Sequence, residues 1–411
     1  MNFFKAIANI REIFFPMFLW AFMFAIYWGF SWFFNEPVTP LVYLMPVFLA
    51  LAIYIAYRLQ GYTNYDKPFR LDKNKNFFIM ALLGTLTVVF IFYKNLGNLG
   101  RDLADVREEH LENAINGGLE DTLYSIFFPL LIISFIVVNF NNLKYKILIN
   151  CFVIFSCVAF IPINGGRINF LVFGALYGAI ALFKNFESIR KKKIKNLLKF
   201  VLYFIVACVL GSFYGIARTG KDNDQIVGYL YTLKYVNKDV LIALLKVPYN
   251  AGLILILFIT AFYDYTGGNV YYLGIFIDNF HKIDYRTYGF YNFIFLDRFQ
   301  IIDANKAHED IDKLYLPYDI VQNVWATAIR DFAIDFGLIG TFIAIMLLCS
   351  LMFNARKYLH RSYSAQVIFF LLFAFLLFSP FHSLFFLTRV YGITLLIAII
   401  GFLRFKFAPK T

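Results

Sequence analysis

The sequence predicts an all-α integral membrane protein with about ten transmembrane helices and one large extracytoplasmic loop that contains re-entrant or interfacial helices. Composition is the first reason: of 411 residues, 61% are hydrophobic and 21% aromatic, while only 16% are charged. No soluble globular protein of this length has such a balance. The second reason is that apolar runs of bilayer-crossing length recur along the chain. The third is that basic residues concentrate in alternate loops between these runs.

The apolar runs define the expected membrane helices, because a helix needs about 20 mostly apolar residues to cross a bilayer. The runs are 14–34, 41–57, 77–93, 123–140, 147–163, 168–184, 198–217, 331–353, 366–382 and 384–403. The run 251–263 is shorter than a crossing and leads into the turn signal YTGGN, so we expect a re-entrant or interfacial helix there. Ten crossings place both termini on the same side of the membrane.

The distribution of basic residues predicts that this shared side is the cytoplasm, by the positive-inside rule. The basic residues of these loops are Lys5, Arg11, Arg58, Lys67, Arg70, Lys73, Lys75, Lys144, Lys146, Arg190, Lys191, Lys192, Lys193, Lys195, Arg356, Lys357, Arg361, Arg404, Lys406 and Lys410. The short loops on the opposite side, NEPVTP, INGG and SPFHS, carry little charge. Topology and anionic lipid headgroups therefore account for the net charge of +12 better than nucleic-acid binding does.

The chain reads as a single polytopic membrane domain, 1–411, that includes the extracytoplasmic loop region 218–329. This region never sustains an apolar run of crossing length, yet aromatic patches such as YDYTGGNVYYLG and TYGFYNF recur in it. Aromatic faces beside amide and hydroxyl groups suit sugars, and they equally suit packing of a loop on a membrane surface. We expect the loop to roof a polar cavity.

Ionisable residues in the outer half of the membrane are the candidates for a site, because charge there usually faces water or a partner. Arg167 opens the run 168–184 after a glycine pair, Arg218 closes the run 198–217, and Arg330 opens the run 331–353. Arg389 lies about two turns below the outer end of the last run, and His382 lies at the outer end of the run before it. Each of the arginines could instead only extend to lipid phosphates. The planar guanidinium suits a pyrophosphate ligand.

Several classes of chemistry find no support. The sequence has no GxxxxGK[ST], HExxH or GxSxG motif and no aspartate-rich metal motif, so we expect neither a metal nor a cofactor. The cysteines lie inside apolar runs without metal-ligand spacing, which favours ordinary buried thiols; they are Cys151, Cys157, Cys208 and Cys349.

A general base for a sugar hydroxyl could come from several residues, and the sequence does not choose among them. These residues are Asp264, Asp278, His308, Glu309, Asp331 and Asp335. Asp331 and Asp335 share a helix face at i,i+4, and for both a pairing with an arginine is a more economical interpretation than a base role. His382 is more easily explained as an interfacial residue than as a catalyst.

Four segments resemble the O-antigen and capsule repeat-unit polymerases, the Wzy type of bacterial envelope assembly. NGGRINFLVFGALYG at 164–178 resembles the start of a family helix with small residues followed by arginine. YDYTGGNVYYLGIFID at 263–278 resembles the aromatic and glycine stretch of the large outer loop. QNVWATAIRDFAIDFGLIG at 322–340 resembles an element with Asn, an aromatic residue and Thr that precedes Phe-Gly and a membrane helix. DLADVREEHLENA at 102–114 resembles the first outer loop.

The resemblance implies a metal-independent glycosyltransferase on the outer side of the bacterial inner membrane. It would transfer a growing glycan from undecaprenyl pyrophosphate to an incoming lipid-linked repeat unit, with a chain-length regulator as a possible partner. Carried over onto this sequence, it makes Arg167, Arg218 and Arg330 pyrophosphate-binding residues, with Asn323 organising the loop beside them. Gln322 departs from the pattern, because many members have His before the Asn.

A second set of residues is assigned to substrate binding. It consists of Arg107, Asp264, Arg298, Asp331, His382 and Arg389. For Arg107, a solvated surface helix is an equally good interpretation.

Two alternative functions stay open. One is an O-antigen ligase, which uses the same donor but transfers the glycan to a lipid A core. The other is a flippase or transporter of lipid-linked oligosaccharide, for which we would expect two similar halves and cationic residues through the full depth of the helices. The predicted arrangement of seven helices, a loop and three helices favours the enzyme.

Overall fold

The computed structural model describes residues 10–34, 38–61, 76–95, 119–160, 168–190, 227–228, 236–247, 251–264, 266–283, 286–293, 296, 304–318 and 327–407. Within these ranges every regular element is a helix. Extended backbone pairs there at one isolated antiparallel bridge, between Phe34 and Val236.

Seven of the described helices are long and apolar enough to span a membrane. We number the helices in chain order; these seven are α1 Arg11–Gly29, α2 Met45–Gln60 with the 3-10 turn Pro40–Leu44 before it, α3 Asn76–Lys94, α4 Leu119–Asn141, α6 Ile168–Arg190, α11 Ala328–Arg356 and α14 Arg389–Phe407. Two shorter apolar helices are α5 Lys146–Ala159 and α12 Tyr363–Phe378. The remaining ones are α7 Lys238–Leu245, α8 Ala251–Asp264, α9 Gly268–Asn279, α10 Ala304–Tyr315 and α13 Leu384–Leu387.

The structure confirms the coarse prediction of a multi-helix membrane protein. Nine of the ten predicted runs coincide with helices among the described residues. The tenth run, 198–217, lies outside them, as does much of the loop region 218–329, so the count of ten and the large loop stay predictions. The short run 251–263 forms the 14-residue helix α8. Its re-entrant or interfacial placement stays a prediction.

Helix α12 is the centre of the bundle. Its segment YSAQVIFFLLFAFLLF is apolar on every face, and a helix with that pattern is expected to be surrounded by other helices. All residues from Ala365 to Leu377 are buried, and α12 packs against α1, α4, α6, α11 and α14. The membrane-spanning helices are thus arranged around one apolar axis.

Polar contacts show that the helix ends carrying most of the described basic residues lie together. Arg356, at the end of α11, is 2.9 Å from Glu12 in the first turn of α1. Arg11 donates to the carbonyl of Phe183 in α6 at 2.7 Å, and Asn141 at the end of α4 donates to Gln366 in α12 at 2.8 Å. We call this side of the bundle the basic end. Successive membrane helices are predicted to run in opposite directions, and this topology also puts these helix ends on one side of the bundle.

The last predicted run is wrong as a single helix. The backbone at Thr388 is extended, with φ −155° and ψ 131°, and this separates α13 from α14. Arg389 is therefore the first residue of α14 rather than a residue two turns inside a helix. The run LFFLTRVYGI is continuously apolar apart from TR, so hydropathy alone does not reveal the break.

The cysteines follow the prediction only in part. Cys157 and Cys349 are buried free thiols, whereas Cys151 is exposed on α5. Cys208 lies outside the described residues.

Candidate functional site

A charged cluster is buried at the end of the bundle opposite the basic end. Arg330 and Asp331 lie in the first turn of α11, and His382 lies in the turn that follows α12. The Nε and Nη2 atoms of Arg330 are 3.0 and 2.8 Å from Oδ1 of Asp331, and Nδ1 of His382 is 2.8 Å from Oδ2. The exposed fractions are 3% for Arg330, 0% for Asp331 and 4% for His382. We refer to these three residues as the Arg-Asp-His cluster.

Local backbone geometry brings the cluster together. Thr327 is extended immediately before α11, and the amide of Ala328 donates to the carbonyl of Ser379 at 2.9 Å. This contact fixes the start of α11 against the turn that carries His382. An acidic side chain in the first turn is also favoured by the helix dipole, which stabilises Asp331 as a carboxylate.

The contacts of Asp331 identify it as an acceptor that orients its neighbours. One oxygen accepts two bonds from Arg330, and the other lies 2.8 Å from Nδ1 of His382 and 3.2 Å from the amide of Ser383. The amide of Ser383 also donates to Nδ1 of His382 at 2.8 Å, so the imidazole contacts both the Asp331 carboxylate and the backbone of its neighbour. Asp331 is thus engaged on both oxygens, and the pairing with an arginine that the sequence suggested is confirmed.

Two tyrosines from the chain that precedes α11 are buried beside the guanidinium of Arg330. Tyr315, the last residue of α10, donates its hydroxyl to the carbonyl of Tyr272 at 3.0 Å and accepts a hydrogen bond from Arg330. Burial raises the pKa of both Tyr315 and Tyr291 above the ordinary phenol value, and the positive charge of Arg330 opposes this rise. Both phenols are therefore protonated at neutral pH, and the Tyr315 hydroxyl proton is engaged by the carbonyl of Tyr272.

Asp335, one turn after Asp331, anchors the segment 286–293. Its carboxylate accepts from the amides of Gly289 at 2.8 Å, Tyr291 at 3.1 Å and Asn292 at 2.9 Å, and also from the side chains of Thr287 and Asn292. Gly289 has φ +103°, which a residue with a side chain rarely adopts. The anchor holds Tyr291 next to the Arg-Asp-His cluster.

Sequence reasoning missed the anchor. We expected Asp335 to pair with an arginine or to act as a base, and its described partners are instead the donors of a loop. The available signal was a carboxylate in an apolar helix together with a glycine-containing turn, TYGFYN, in the preceding loop. The roles of Tyr291 and Tyr315 were also not predicted.

The structure brings only some of the predicted site residues together. Arg330, Asp331 and His382 form one cluster, and Arg389 is partly buried at the start of α14. The others lie outside the described residues or have no described side chain: Arg107, Arg167, Arg218, Arg298, Asn323 and Asp264. The predicted convergence of four arginines therefore stays a prediction. The charge of Arg330 is already compensated by Asp331.

The other candidate bases differ in exposure. Asp278 and Glu309 are exposed, and Asp335 is buried and engaged by its loop. The side chains of Asp264 and His308 lie outside the described part of the chain. Where side chains are described, no group of three or more His, Cys, Asp or Glu residues lies together as a metal site would require.

Comparison with known proteins finds no family model, no curated protein and no solved structure that matches this chain. The functional interpretation therefore depends on the chemistry of the site and on the sequence resemblance described above.

Proposed function

We propose that this protein is a membrane glycosyltransferase that polymerises undecaprenyl-pyrophosphate-linked oligosaccharide repeat units into O-antigen or capsular polysaccharide. It transfers the growing glycan to the incoming lipid-linked unit, on the extracytoplasmic side of the bacterial inner membrane. The observation that carries the proposal is the buried Arg-Asp-His cluster at the end of the bundle opposite the basic end. By the positive-inside rule that end faces away from the cytoplasm.

Burial of these groups is costly, which supports a functional role. A guanidinium, a carboxylate and an imidazole are removed from water at one end of the helix bundle. Ionisable groups in such positions are rare and commonly mark a substrate path or a reaction site. Under the proposal, the guanidinium of Arg330, which also contacts Tyr315, is the donor group that meets the anionic part of the substrate at this end of the bundle.

The chemistry of the proposed donor matches what the residues can supply. A pyrophosphate is a good leaving group, so transfer requires mainly donors placed where negative charge develops as the glycosidic bond breaks. Under the proposal Arg167 and Arg218 supply cationic groups with Arg330, and Asn323 organises the loop beside them. A general base for the acceptor hydroxyl adds about 10² to 10⁴ in rate.

The test is reconstitution of the purified protein with undecaprenyl-pyrophosphate-linked repeat units, without nucleotide and with a metal chelator. We expect a ladder of longer lipid-linked glycans. Arg330→Ala should abolish the ladder, whereas Arg404→Ala, an exposed arginine at the basic end, should leave it unchanged.

Other outcomes would contradict the proposal. Transfer only to a lipid A core acceptor would indicate a ligase, and translocation without elongation would indicate a flippase. A full ladder of glycans made by folded Arg330→Ala protein would show that the Arg-Asp-His cluster takes no part in the reaction.

A further inference from the structure

Two lysine ammonium groups meet at the turn between α4 and α5, at the basic end of the bundle. Nζ of Lys146 is 3.1 Å and Nζ of Lys184 is 3.4 Å from the same atom, Oδ1 of Asn142. We propose that Lys146 and Lys184, called here the lysine pair, bind the phosphate of an anionic phospholipid. This binding site is separate from the proposed glycosyl transfer and does not depend on it.

The backbone of the turn fixes the lysine pair. Asn142 has φ +52°, and the amide of Leu143 donates to the carbonyl of Val138 at 3.2 Å, which is the bond that closes a helix with a left-handed cap. Lys184, in α6, donates to the carbonyl of Asn139 at 2.8 Å. This carbonyl belongs to the last turn of α4, where the helix dipole favours a cation. The folded turn therefore sets the position of the Lys184 ammonium group.

The lysine pair lacks a compensating negative charge. An amide oxygen is neutral, so Asn142 accepts from both ammonium groups without cancelling their charges. In the part of the chain that the structure describes, the carboxylates that form ion pairs do so with bases other than Lys146 and Lys184. An ammonium group has three donors, and the described contacts use one of Lys146 and two of Lys184. Positive charge and remaining donors together suit a phosphate, whose oxygens accept several hydrogen bonds.

The apolar surface beside the lysine pair suits a phospholipid better than a soluble anion. Helix α5 begins at Lys146, and the exposed residues that follow at i, i+4, i+7 and i+11 spacing on one face are Ile147, Cys151, Ile154 and Val158. The exposed fractions of Ile147, Ile154 and Val158 are 81%, 61% and 52%. This face extends about 20 Å along α5, at 1.5 Å per residue. An acyl chain whose phosphate lies at the lysine pair can therefore lie along it.

The neighbouring side chains are typical of the headgroup region of a bilayer. Lys144 and Tyr145 are exposed in the same turn, and Nζ of Lys144 is 6.0 Å from the centre of the Tyr145 ring. Lysine and tyrosine at the ends of membrane helices commonly lie at the level of the lipid headgroups. By the positive-inside rule the basic end faces the cytoplasm, and the anionic lipids of that leaflet attract basic residues.

The test measures binding of phosphatidylglycerol to the purified full-length protein in neutral detergent, with zwitterionic phosphatidylcholine as the comparison. We expect phosphatidylglycerol to raise the Tm more than phosphatidylcholine does. In the double variant Lys146→Gln/Lys184→Gln, the apparent Kd for phosphatidylglycerol should rise about 25-fold, since each lysine beside an anionic lipid contributes a factor of about five. Lys406→Gln is the matched control, because Lys406 also donates to one amide oxygen at the basic end, that of Asn354 at 3.2 Å. It should leave the Kd nearly unchanged.

A second variant, Asn142→Asp, separates lipid binding from a structural role. It keeps both lysines and a left-handed backbone that aspartate also adopts, and it places a carboxylate between the two ammonium groups. We expect its Tm in phosphatidylcholine to be at least as high as that of the wild type. The additional rise in Tm with phosphatidylglycerol should be lost, because the lysine pair is already neutralised.

Several outcomes would overturn the proposal. Equal effects of phosphatidylglycerol and phosphatidylcholine on the wild type would show that the protein does not select an anionic lipid. A wild-type Kd in the folded double variant, or a full response in Asn142→Asp, would show that the lysine pair is not the site. If inorganic phosphate raises the Tm equally and competes with phosphatidylglycerol, the site binds a soluble anion. Each of these results leaves the proposed glycosyl transfer unaffected, because the Arg-Asp-His cluster lies at the opposite end of the bundle.

Discussion

At the scale of single residues, Asp331 and Asp335 share one face of α11 and have different tasks. Asp331 neutralises Arg330 and orients His382, whereas Asp335 binds the amides of a loop. The i,i+4 spacing was visible in the sequence and correctly placed both on one face. It could not separate their roles, because each role depends on a partner more than 40 positions away.

Replacing Arg330 by lysine tests whether a bare positive charge is sufficient. Lysine cannot reproduce the paired contacts of Nε and Nη2 with Asp331, so we expect the polymerisation rate to fall by about 10- to 100-fold. The rate is measured from the length distribution of lipid-linked glycans over time. Full activity of Arg330→Lys would show that the fork geometry is unnecessary.

Replacing Asp335 by alanine should destabilise the protein strongly. The change leaves the buried amides of Gly289, Tyr291 and Asn292 without their acceptor, and we expect a loss of at least about 3 kcal/mol. Thermal unfolding in detergent measures the effect. The matched control is Asp310→Ala, whose partner Lys313 is 69% exposed and which should cost less than about 1 kcal/mol. Equal Tm values for the two variants would contradict the anchor role.

At the scale of elements, the break within α11 is the feature that shapes the site. Gly337 has φ +72° and ψ 173°, a conformation that is accessible almost only to glycine. It separates the two turns that carry Asp331 and Asp335 from the long apolar part of the helix. The amide of Tyr288 donates to the backbone carbonyl of Asp335 just before the break, at 3.2 Å.

Gly337→Ala should therefore lower the free energy of unfolding by about 1–3 kcal/mol, through backbone strain rather than through a steric clash. The nearest heavy atom to an added Cβ is Nε of Arg286, at 4.0 Å. Gly174→Ala is the control, since Gly174 is helical in α6 and an added Cβ has nothing within 4 Å. We expect it to be neutral or slightly stabilising in the same unfolding measurement. An unchanged free energy of unfolding in Gly337→Ala would show that the break does not require glycine.

Helix positions were predictable, and helix interruptions were not. Apolar runs of crossing length locate the described membrane helices because nearly every residue of such a run must avoid water. The breaks at Gly337 and Thr388 lie inside the runs that hydropathy predicts as single helices. They depend on loops and turns that pack against the helix ends, and hydropathy does not report such contacts.

At the scale of the whole molecule, a buried ion cluster joins the first and last thirds of the chain at the basic end. Glu12 is fully buried, 2.9 Å from Arg356 and 3.7 Å from Arg11. Arg11 also stacks on the ring of Phe183, with its guanidinium carbon 3.6 Å from the ring centroid. These contacts connect α1, α6 and α11.

Glu12→Gln should cost about 3–5 kcal/mol, because it leaves two arginines close together without a compensating charge. Glu120→Gln, whose partner Lys94 is 46% exposed, should cost about 1 kcal/mol or less. The Tm of each purified variant is the measurement. If Glu12→Gln unfolds no earlier than Glu120→Gln, the cluster at the basic end does not hold these helices together.

The orientation in the membrane can be tested by labelling. In a variant without native cysteines, Tyr288→Cys should react with a membrane-impermeant maleimide in intact spheroplasts, since Tyr288 is 71% exposed at the end opposite the basic end. His360→Cys should react only after permeabilisation. The reverse pattern would place the Arg-Asp-His cluster in the cytoplasm and overturn the proposed function.

The candidate site was partly predictable from sequence. Arg330, Asp331 and His382 each stood out as ionisable residues at the outer end of a predicted membrane helix. Their contact could not be predicted, because it depends on the start of α11 meeting the turn after α12 through Ala328 and Ser379. Tyr291 and Tyr315 could not be distinguished from the other aromatic residues of the loop. No local sequence feature shows which phenol lies beside the guanidinium of Arg330.

The way in which Asp335 holds its loop has a consequence for how substrate preference could diverge. Three of the donors to the Asp335 carboxylate are backbone amides. These hydrogen bonds therefore depend little on which side chains occupy positions 288, 290 and 291. Under the proposed function, chains built on this plan could exchange those side chains to suit a different repeat-unit sugar while the backbone contacts with Asp335 stay intact. Recognition and scaffolding would then evolve separately within a single turn of polypeptide.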